Sequence, residues 1–144
     1  MDDLEGVVAC RGAERLLAEI PAAQWCLVTS STRPLAEVRL RAAGLPLPQY
    51  FITSSDITRG KPDPEPYDKA AAMLGVAPQR CVVLEDTPAG IQSGKAAGCR
   101  VIALRTTMPD AVLRAASPDW IVDGCADVQV TRAPDGELEL KLTS

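Results

Sequence analysis

CVVLEDTPAGI, residues 81–91, is the stretch that decides the fold. It starts with four apolar residues, a run of strand length, and two acidic residues close that run. Thr87 and Pro88 follow, and a hydroxyl cap with a proline in the first turn is typical of a helix start. A buried strand that passes directly into a helix predicts one unit of an α/β domain with a parallel sheet.

The same alternation runs along the rest of the chain. Apolar runs predict strands at 25–28, 50–52, 100–104 and 120–122, and helical periodicity predicts helices over 12–20, 34–42, 66–74, 88–97 and 111–116. The prolines between 62 and 66 are expected to forbid a helix until after Pro66. Residues 128–130 and 138–142 predict a C-terminal β-hairpin around Asp135-Gly136. We expect a single α/β domain over residues 1–144, with a Rossmann-like three-layer core and a mostly parallel sheet.

Composition excludes several classes of protein. At 144 residues, with 47% hydrophobic and 24% charged residues, the chain has the composition of one folded domain. The absence of histidine excludes Ser-His-Asp and Cys-His catalysis and every metal site that needs imidazole. A net charge of −4 and the lack of a long apolar stretch argue against nucleic-acid and membrane partners. The five cysteines form no C-x-x-C pair, so we expect buried thiols in a cytoplasmic protein.

Residues with phosphate-binding and metal-binding chemistry follow three of the apolar runs. Thr29 and Ser30 come directly after the first run, and Lys61 lies beyond the second. Glu85 and Asp86 close the third. Ligands of an open parallel sheet bind outside the carboxyl ends of its strands, so we expect these side chains at one edge. Hydroxyl and N–H groups bind phosphate oxygens, a lysine offsets their charge, and carboxylates bind Mg²⁺. The set predicts a site for phosphate and magnesium.

Each of these residues also has an ordinary structural explanation. The hydroxyl cluster that starts at Thr29 could only cap a helix, and Lys61 could be a solvated surface lysine. Glu85 and Asp86 could form a solvent-exposed strand end, or Asp86 with Thr87 could cap the helix that starts at Pro88. Asp56 could orient Lys61, but the commoner use of such an aspartate is to close a turn.

Three stretches resemble, in the right order, motifs of the haloacid dehalogenase superfamily. They are LVTSSTR at 27–33, GKPDPEPY at 60–67 and VVLEDTPAGI at 82–91, and they are most similar to motifs of its sugar-phosphate and glycerol-phosphate phosphatases and phosphomutases. The resemblance implies that Thr29 and Lys61 are catalytic. Thr29 would bind the phosphoryl group through its hydroxyl, with help from the N–H of Ser30, and Lys61 would neutralise its charge. Asp86, with Glu85, would hold Mg²⁺.

The resemblance does not extend to the family's nucleophile. In the family reaction, an aspartate of an Asp-x-Asp-Gly-Thr motif takes the phosphoryl group, and water then hydrolyses the aspartyl-phosphate. This sequence contains no such motif, since Asp2-Asp3 lacks both the spacing and the Gly-Thr pair. We therefore expect that the central first strand and the cap domain are absent, and that strands 25–28 and 81–84 each have an unpaired edge.

The sequence favours a Mg²⁺-dependent phosphohydrolase of a small phosphorylated metabolite, such as a sugar or polyol phosphate. We expect this chain to be an N-terminally truncated, inactive form of it. Two other interpretations stay open. One is a catalytically dead remnant that binds phosphate or a protein, and the other is a split enzyme that a second chain completes.

Overall fold

The computed structural model describes residues 18–142, apart from 43, 46, 107, 133, 136 and 137. The strands of this part are β1 (Cys26–Val28), β2 (Tyr50–Ile52), β3 (Val82–Glu85), β4 (Arg100–Leu104), β5 (Trp120–Val122), β6 (Val128–Arg132) and β7 (Leu138–Leu142). Its α-helices are α1 (Arg33–Ala42), α2 (Glu65–Leu74), α3 (Pro88–Ala96) and α4 (Asp110–Ala115). Strands and helices alternate as far as β5, which confirms the α/β prediction. The helix predicted over 12–20 lies outside the described residues, except for its last three positions.

The parallel strands form two sheets. β1 pairs with β2, with Leu27 opposite Phe51. β4 lies between β3 and β5, with Leu84 opposite Ile102. β6 and β7 form the predicted antiparallel hairpin. Within the residues described above, β1 pairs with β2 alone and β3 with β4 alone.

A cleft of about 1240 Å³ lies between the two parallel sheets. Cys26 and Val28 of β1 line one side, and Val82, Val83 and Leu84 of β3 line another. Strand β7 of the hairpin also contributes to the lining. The cleft therefore separates β1 from β3, the facing edge strands of the two parallel sheets.

Helix α2 starts earlier than the prolines predict. It begins at Glu65, with Pro64 as its N-cap and Pro66 inside the first turn. Proline is tolerated there because the first N–H groups of a helix have no partner within it. The expectation of no helix before Pro66 is therefore wrong. Gly75 ends the helix in the left-handed region, with φ of 70°, as predicted.

The core forms where α2 and α3 cover the sheets. Val28 of β1, Val83 of β3, Tyr67 of α2 and Ile91 of α3 belong to one buried cluster. Helix α2 packs mainly on β1 and β2, helix α3 packs mainly on β3 and β4, and the two helices contact each other, so both sheets share one core. No helix in the described part of the chain has the length and apolar character needed to cross a membrane.

Candidate active site

The predicted phosphate ligands Thr29 and Ser30 lie in a tight turn at the carboxyl end of β1. Thr29 is buried, and its N–H donates to the carbonyl of Ile52 over 3.0 Å. Its Oγ1 accepts the N–H of Ser31 over 3.1 Å, a contact that uses a lone pair of the hydroxyl and not its hydrogen. Ser30 is exposed. We call residues 29–31 the hydroxyl turn.

The hydroxyl turn is supported mainly by backbone contacts and by one arginine. The carbonyl of Ser31 accepts the N–H of Ser54 over 3.0 Å. The Oγ of Ser31 accepts a hydrogen bond from Arg39 over 2.8 Å. Hydrogen bonds to the end of β2 and from Arg39 of α1 therefore hold the turn in place.

Asp56 closes a separate turn after β2. Its Oδ2 accepts the N–H of Thr53 over 2.8 Å and lies 3.7 Å from the guanidinium of Arg33. The Thr53 N–H is the main cause that lowers the pKa of Asp56 below its ordinary value. These contacts agree with an ordinary turn aspartate.

Lys61 forms a buried ion pair with Glu85. Its Nζ lies 2.5 Å from Glu85 Oε2, and the two side chains are only 5% and 0% exposed. The surface-lysine interpretation is therefore wrong. Removing two charges from water is costly, and only their close contact and further hydrogen bonds can offset that cost. Lys61 precedes a cis peptide bond to Pro62, in the loop that leads into α2.

The carboxylate of Glu85 is closely surrounded by other groups of the protein. Tyr67 donates its hydroxyl to Oε2 over 2.5 Å. The Thr87 hydroxyl lies 3.5 Å from Oε1. A Cβ added to Gly90 would lie 2.0 Å from Glu85 Cδ, so α3 can approach this closely only because residue 90 is glycine. We call Lys61, Tyr67, Glu85, Thr87 and Gly90 the lysine network.

Hydrogen bonds from α3 and to Glu65 hold the loop that carries Lys61. Ser93 of α3 is fully buried and donates its hydroxyl to the carbonyl of Asp63 over 2.6 Å. Glu65 accepts the N–H groups of Thr58 and Arg59 over 2.8 and 2.9 Å. The Thr58 N–H is the main cause that lowers the pKa of Glu65. The loop is therefore positioned before any ligand binds.

Asp86 follows β3 directly and is 1% exposed. Its Oδ2 accepts a hydrogen bond from the hydroxyl of Thr106, which follows β4, over 3.2 Å. The cap of α3 is Thr87, whose Oγ1 accepts the N–H of Gly90 over 3.2 Å. The capping role considered for Asp86 thus belongs to its neighbour.

The two acids differ in how well they fit Mg²⁺. Asp86 offers a hard carboxylate oxygen of the kind that this ion prefers. Glu85, by contrast, already accepts from Lys61 and Tyr67 on one oxygen. Within the described ranges, no group of three or more acidic, cysteine or histidine side chains could hold a metal ion. These residues therefore fit one carboxylate ligand and not a complete metal site. The assignment of Asp86 and Glu85 to magnesium stays a prediction.

Sequence reasoning misses four residues of this region. Tyr67 contacts Glu85 across 18 positions of the chain, and Ser93 contacts Asp63 across 30 positions. No local pattern reveals contacts of this kind. Thr106 lies 20 positions from Asp86. Gly90 has a signal, because a glycine inside a helical pattern often marks a close approach of the backbone.

The described cysteines are poor nucleophiles. Burial raises the pKa of Cys26 to about 12, and it raises that of Cys99 to about 12 as well. Cys125 is also buried. The thiols described here agree with the prediction of core packing, and Cys10 lies outside the described residues.

Comparison with known proteins identifies a family of hydrolases and several phosphatases to which this chain is similar. A model of the haloacid dehalogenase-like hydrolases matches residues 3–98. Hexitol phosphatase A of Escherichia coli is 42% identical over 138 residues, which cover 94% of this chain and 63% of that protein. Glycerol-1-phosphate phosphohydrolase 2 of Saccharomyces cerevisiae is 39% identical over 121 residues, 79% of this chain and 48% of that protein.

The fold has solved relatives as well. A haloacid dehalogenase family hydrolase from Deinococcus radiodurans, crystallised with bound phosphate and sodium, superposes with a TM-score of 0.74 at 30% identity. The match covers 81% of this chain and 56% of that one. The chain thus spans between about half and two thirds of the length of the relatives it matches.

Proposed function

Since this chain belongs to the haloacid dehalogenase-like hydrolases, we propose that its site serves the hydrolysis of a phosphate monoester of a small sugar or polyol. The observation that carries the proposal is the buried pair of Lys61 and Glu85 beside Asp86 at the end of β3. A buried ammonium held by a carboxylate is suited to an anionic ligand that enters from the sheet edge. The names of two relatives, a hexitol phosphatase and a glycerol-1-phosphate phosphohydrolase, support the substrate class.

Each residue would have a distinct task. The hydroxyl of Thr29 and the N–H of Ser30 would bind phosphoryl oxygens, as donors at the start of a helix do. Lys61 would offset the negative charge that these oxygens carry. Glu85 would keep Lys61 in place, which we propose in preference to a direct role in metal binding.

Asp86 would hold Mg²⁺, with Thr106 fixing the orientation of its carboxylate. When bound, the ion would supply charge stabilisation to the transferring phosphoryl group. The described residues provide only Asp86 as a well-suited ligand, so further ligands would have to come from elsewhere, such as the segment that carries the nucleophile.

The nucleophile would also come from outside the described residues. The 144-residue sequence has no Asp-x-Asp-Gly-Thr motif. The cleft of about 1240 Å³ between β1 and β3 is lined by both strands. We infer that a strand bearing the aspartates completes the site there, in the same polypeptide or a second one, and that the 144 residues alone are inactive.

The test is Mg²⁺-dependent release of phosphate from hexitol and glycerol phosphates. It compares this chain with a longer protein that carries an Asp-x-Asp-Gly-Thr strand ahead of it. We expect release by the longer protein only, and loss of that release in its Lys61→Met and Asp86→Asn variants. Turnover by the 144-residue chain would contradict the assignment of the nucleophile to another segment. A folded longer protein that neither hydrolyses these esters nor binds phosphate would contradict the proposed function.

A further inference from the structure

Tyr67 is a buried tyrosine whose hydroxyl meets the charged pair. We propose that Tyr67 is a positioning residue, whose hydroxyl holds the Glu85 carboxylate and, through it, the Lys61 ammonium in the orientation that receives a phosphate group. The inference rests on the proposed function of the site. It adds a residue that acts through Glu85 rather than on the ligand.

One oxygen of Glu85 accepts from two donors. Tyr67 Oη and Lys61 Nζ each lie 2.5 Å from Oε2. A carboxylate oxygen has two lone pairs, so it can serve both donors at once. Because these groups are buried, rotation of the carboxylate would break one of the two contacts without replacement by water.

The surroundings leave the carboxylate little room to move. Thr87 lies near the other oxygen, and the backbone of Gly90 lies so close that even a Cβ would collide with the carboxyl group. Tyr67 itself is only 6% exposed and packs in the main core cluster. The packing of the ring therefore holds the hydroxyl of Tyr67 in place.

The ring of Tyr67 contacts the lysine separately from its hydroxyl. Lys61 Nζ lies 5.4 Å from the centre of the ring, within the range of a cation–π contact. Replacement of Tyr67 by phenylalanine keeps this contact and removes only the hydrogen bond to Glu85. The Tyr67→Phe variant thus isolates the proposed role.

The first measurement follows the side chain of Lys61 by NMR in the 144-residue chain. A lysine fixed beside an aromatic ring has two distinct Hε resonances, whereas exchange among rotamers merges them. We expect two separate Hε signals for Lys61 in the unmodified chain and merged signals in Tyr67→Phe. Tyr50, the chain's second tyrosine, provides the matched control, and Tyr50→Phe should keep the signals of Lys61 separate.

The second measurement is the dissociation constant of inorganic phosphate at constant pH, from amide shifts in the same samples. We expect Tyr67→Phe to weaken binding about tenfold, because a hydrogen bond to a charged group is lost, and Tyr50→Phe to leave it unchanged. In the unmodified chain, a contact between the Tyr67 hydroxyl proton and Lys61 Hε should appear as a nuclear Overhauser effect. This last signal tests the geometry even if Tyr67→Phe fails to fold.

The outcomes separate the positioning role of Tyr67 from the proposed function of the site. Distinct Lys61 signals in folded Tyr67→Phe, or the absence of the hydroxyl-to-Hε contact in the unmodified chain, would overturn the positioning role whatever happens to phosphate. Merged signals with no phosphate binding by any variant would support the positioning role and count against the proposed function. Merged signals with phosphate binding as tight as in the unmodified chain would overturn the link between positioning and ligand binding.

Discussion

The lysine network and the hydroxyl turn lie at the ends of different sheets and are stabilised in different ways. In the lysine network, buried side chains from α2, β3 and the loop at Lys61 contact one another. In the hydroxyl turn, the main contacts are local or to the backbone, and Ser30 is exposed. The difference teaches that the charge-bearing half of the site depends on tertiary packing. The hydroxyl half depends on a turn that backbone hydrogen bonds hold, including two to Ile52 and Ser54 at the end of β2.

The largest effect should follow from loss of the carboxylate in the lysine network. Glu85→Ala takes the counter-ion from a buried ammonium and the acceptor from Tyr67, so we expect a loss of about 3–5 kcal/mol in the free energy of unfolding. Ser30→Ala in the hydroxyl turn should change it by less than about 0.5 kcal/mol. Urea denaturation measures both.

A double variant sharpens this comparison. Lys61→Met in the background of Glu85→Ala removes the buried charge, so it should recover part of the lost stability. Equal losses in Glu85→Ala and Ser30→Ala would show that the two regions do not differ as described.

A smaller effect is expected from Gly90→Ala. The new Cβ would collide with the carboxyl group of Glu85, and forced repacking of this kind costs about 1–3 kcal/mol. Gly60→Ala is the matched control, since nothing lies within 4 Å of the position of its Cβ. Thermal unfolding of both variants checks the prediction, and an unchanged midpoint for Gly90→Ala would refute the close approach.

Loss of the cap at the start of α3 should cost about 1 kcal/mol. Thr87→Ala removes the oxygen that accepts the N–H of Gly90, and N-cap losses have this magnitude. Thr87→Ser keeps a hydroxyl and should lose much less. Chemical denaturation of the pair separates the hydroxyl from the methyl group, and equal losses would mean that the methyl group of Thr87 matters more than its hydroxyl.

The smallest effects concern acid stability, to which two carboxylates outside the lysine network and the hydroxyl turn contribute. The pKa values of Asp56, after β2, and Glu65, at the start of α2, lie below their ordinary 3.8 and 4.5 because backbone N–H groups donate to them. A carboxyl group whose pKa is lower in the folded state stabilises the fold fully at pH values above its ordinary pKa. This stabilisation is lost as the pH falls through the pKa of the folded state.

Asp56→Asn and Glu65→Gln should therefore each reduce the loss of stability on acidification from about pH 5 downward. Unfolding midpoints over this range test the prediction. An unchanged slope in both variants would show that neither carboxylate contributes to the acid dependence.

Local sequence signals predict much of the fold. Residues 100–104 and 120–122 form strands with the predicted bounds, and Thr87-Pro88 starts a helix as predicted. These features depend on apolar runs, caps and turns, which a short stretch of sequence determines. The predicted start of α2 is wrong because the prediction allowed no helix before Pro66. Proline is tolerated inside the first turn, and the helix begins at Glu65.

The partners within the site depend on contacts that sequence spacing does not reveal. Lys61 and Glu85 are 24 positions apart, and their contact depends on how the loop, α2 and β3 pack together. Glu85 closes β3, and successive residues of a strand point to opposite sides. That alternation could have indicated different tasks for Glu85 and Asp86, although it gives no hint that Tyr67 is the second donor.

The most direct test of the central claim is a titration of the isotope-labelled 144-residue chain with inorganic phosphate in the presence of Mg²⁺, followed by amide shifts. We predict that Thr29, Ser30, Lys61 and Asp86 respond together with one dissociation constant, because we propose that the two regions form a single phosphate site. Responses confined to one region, or responses elsewhere in the chain, would contradict this account.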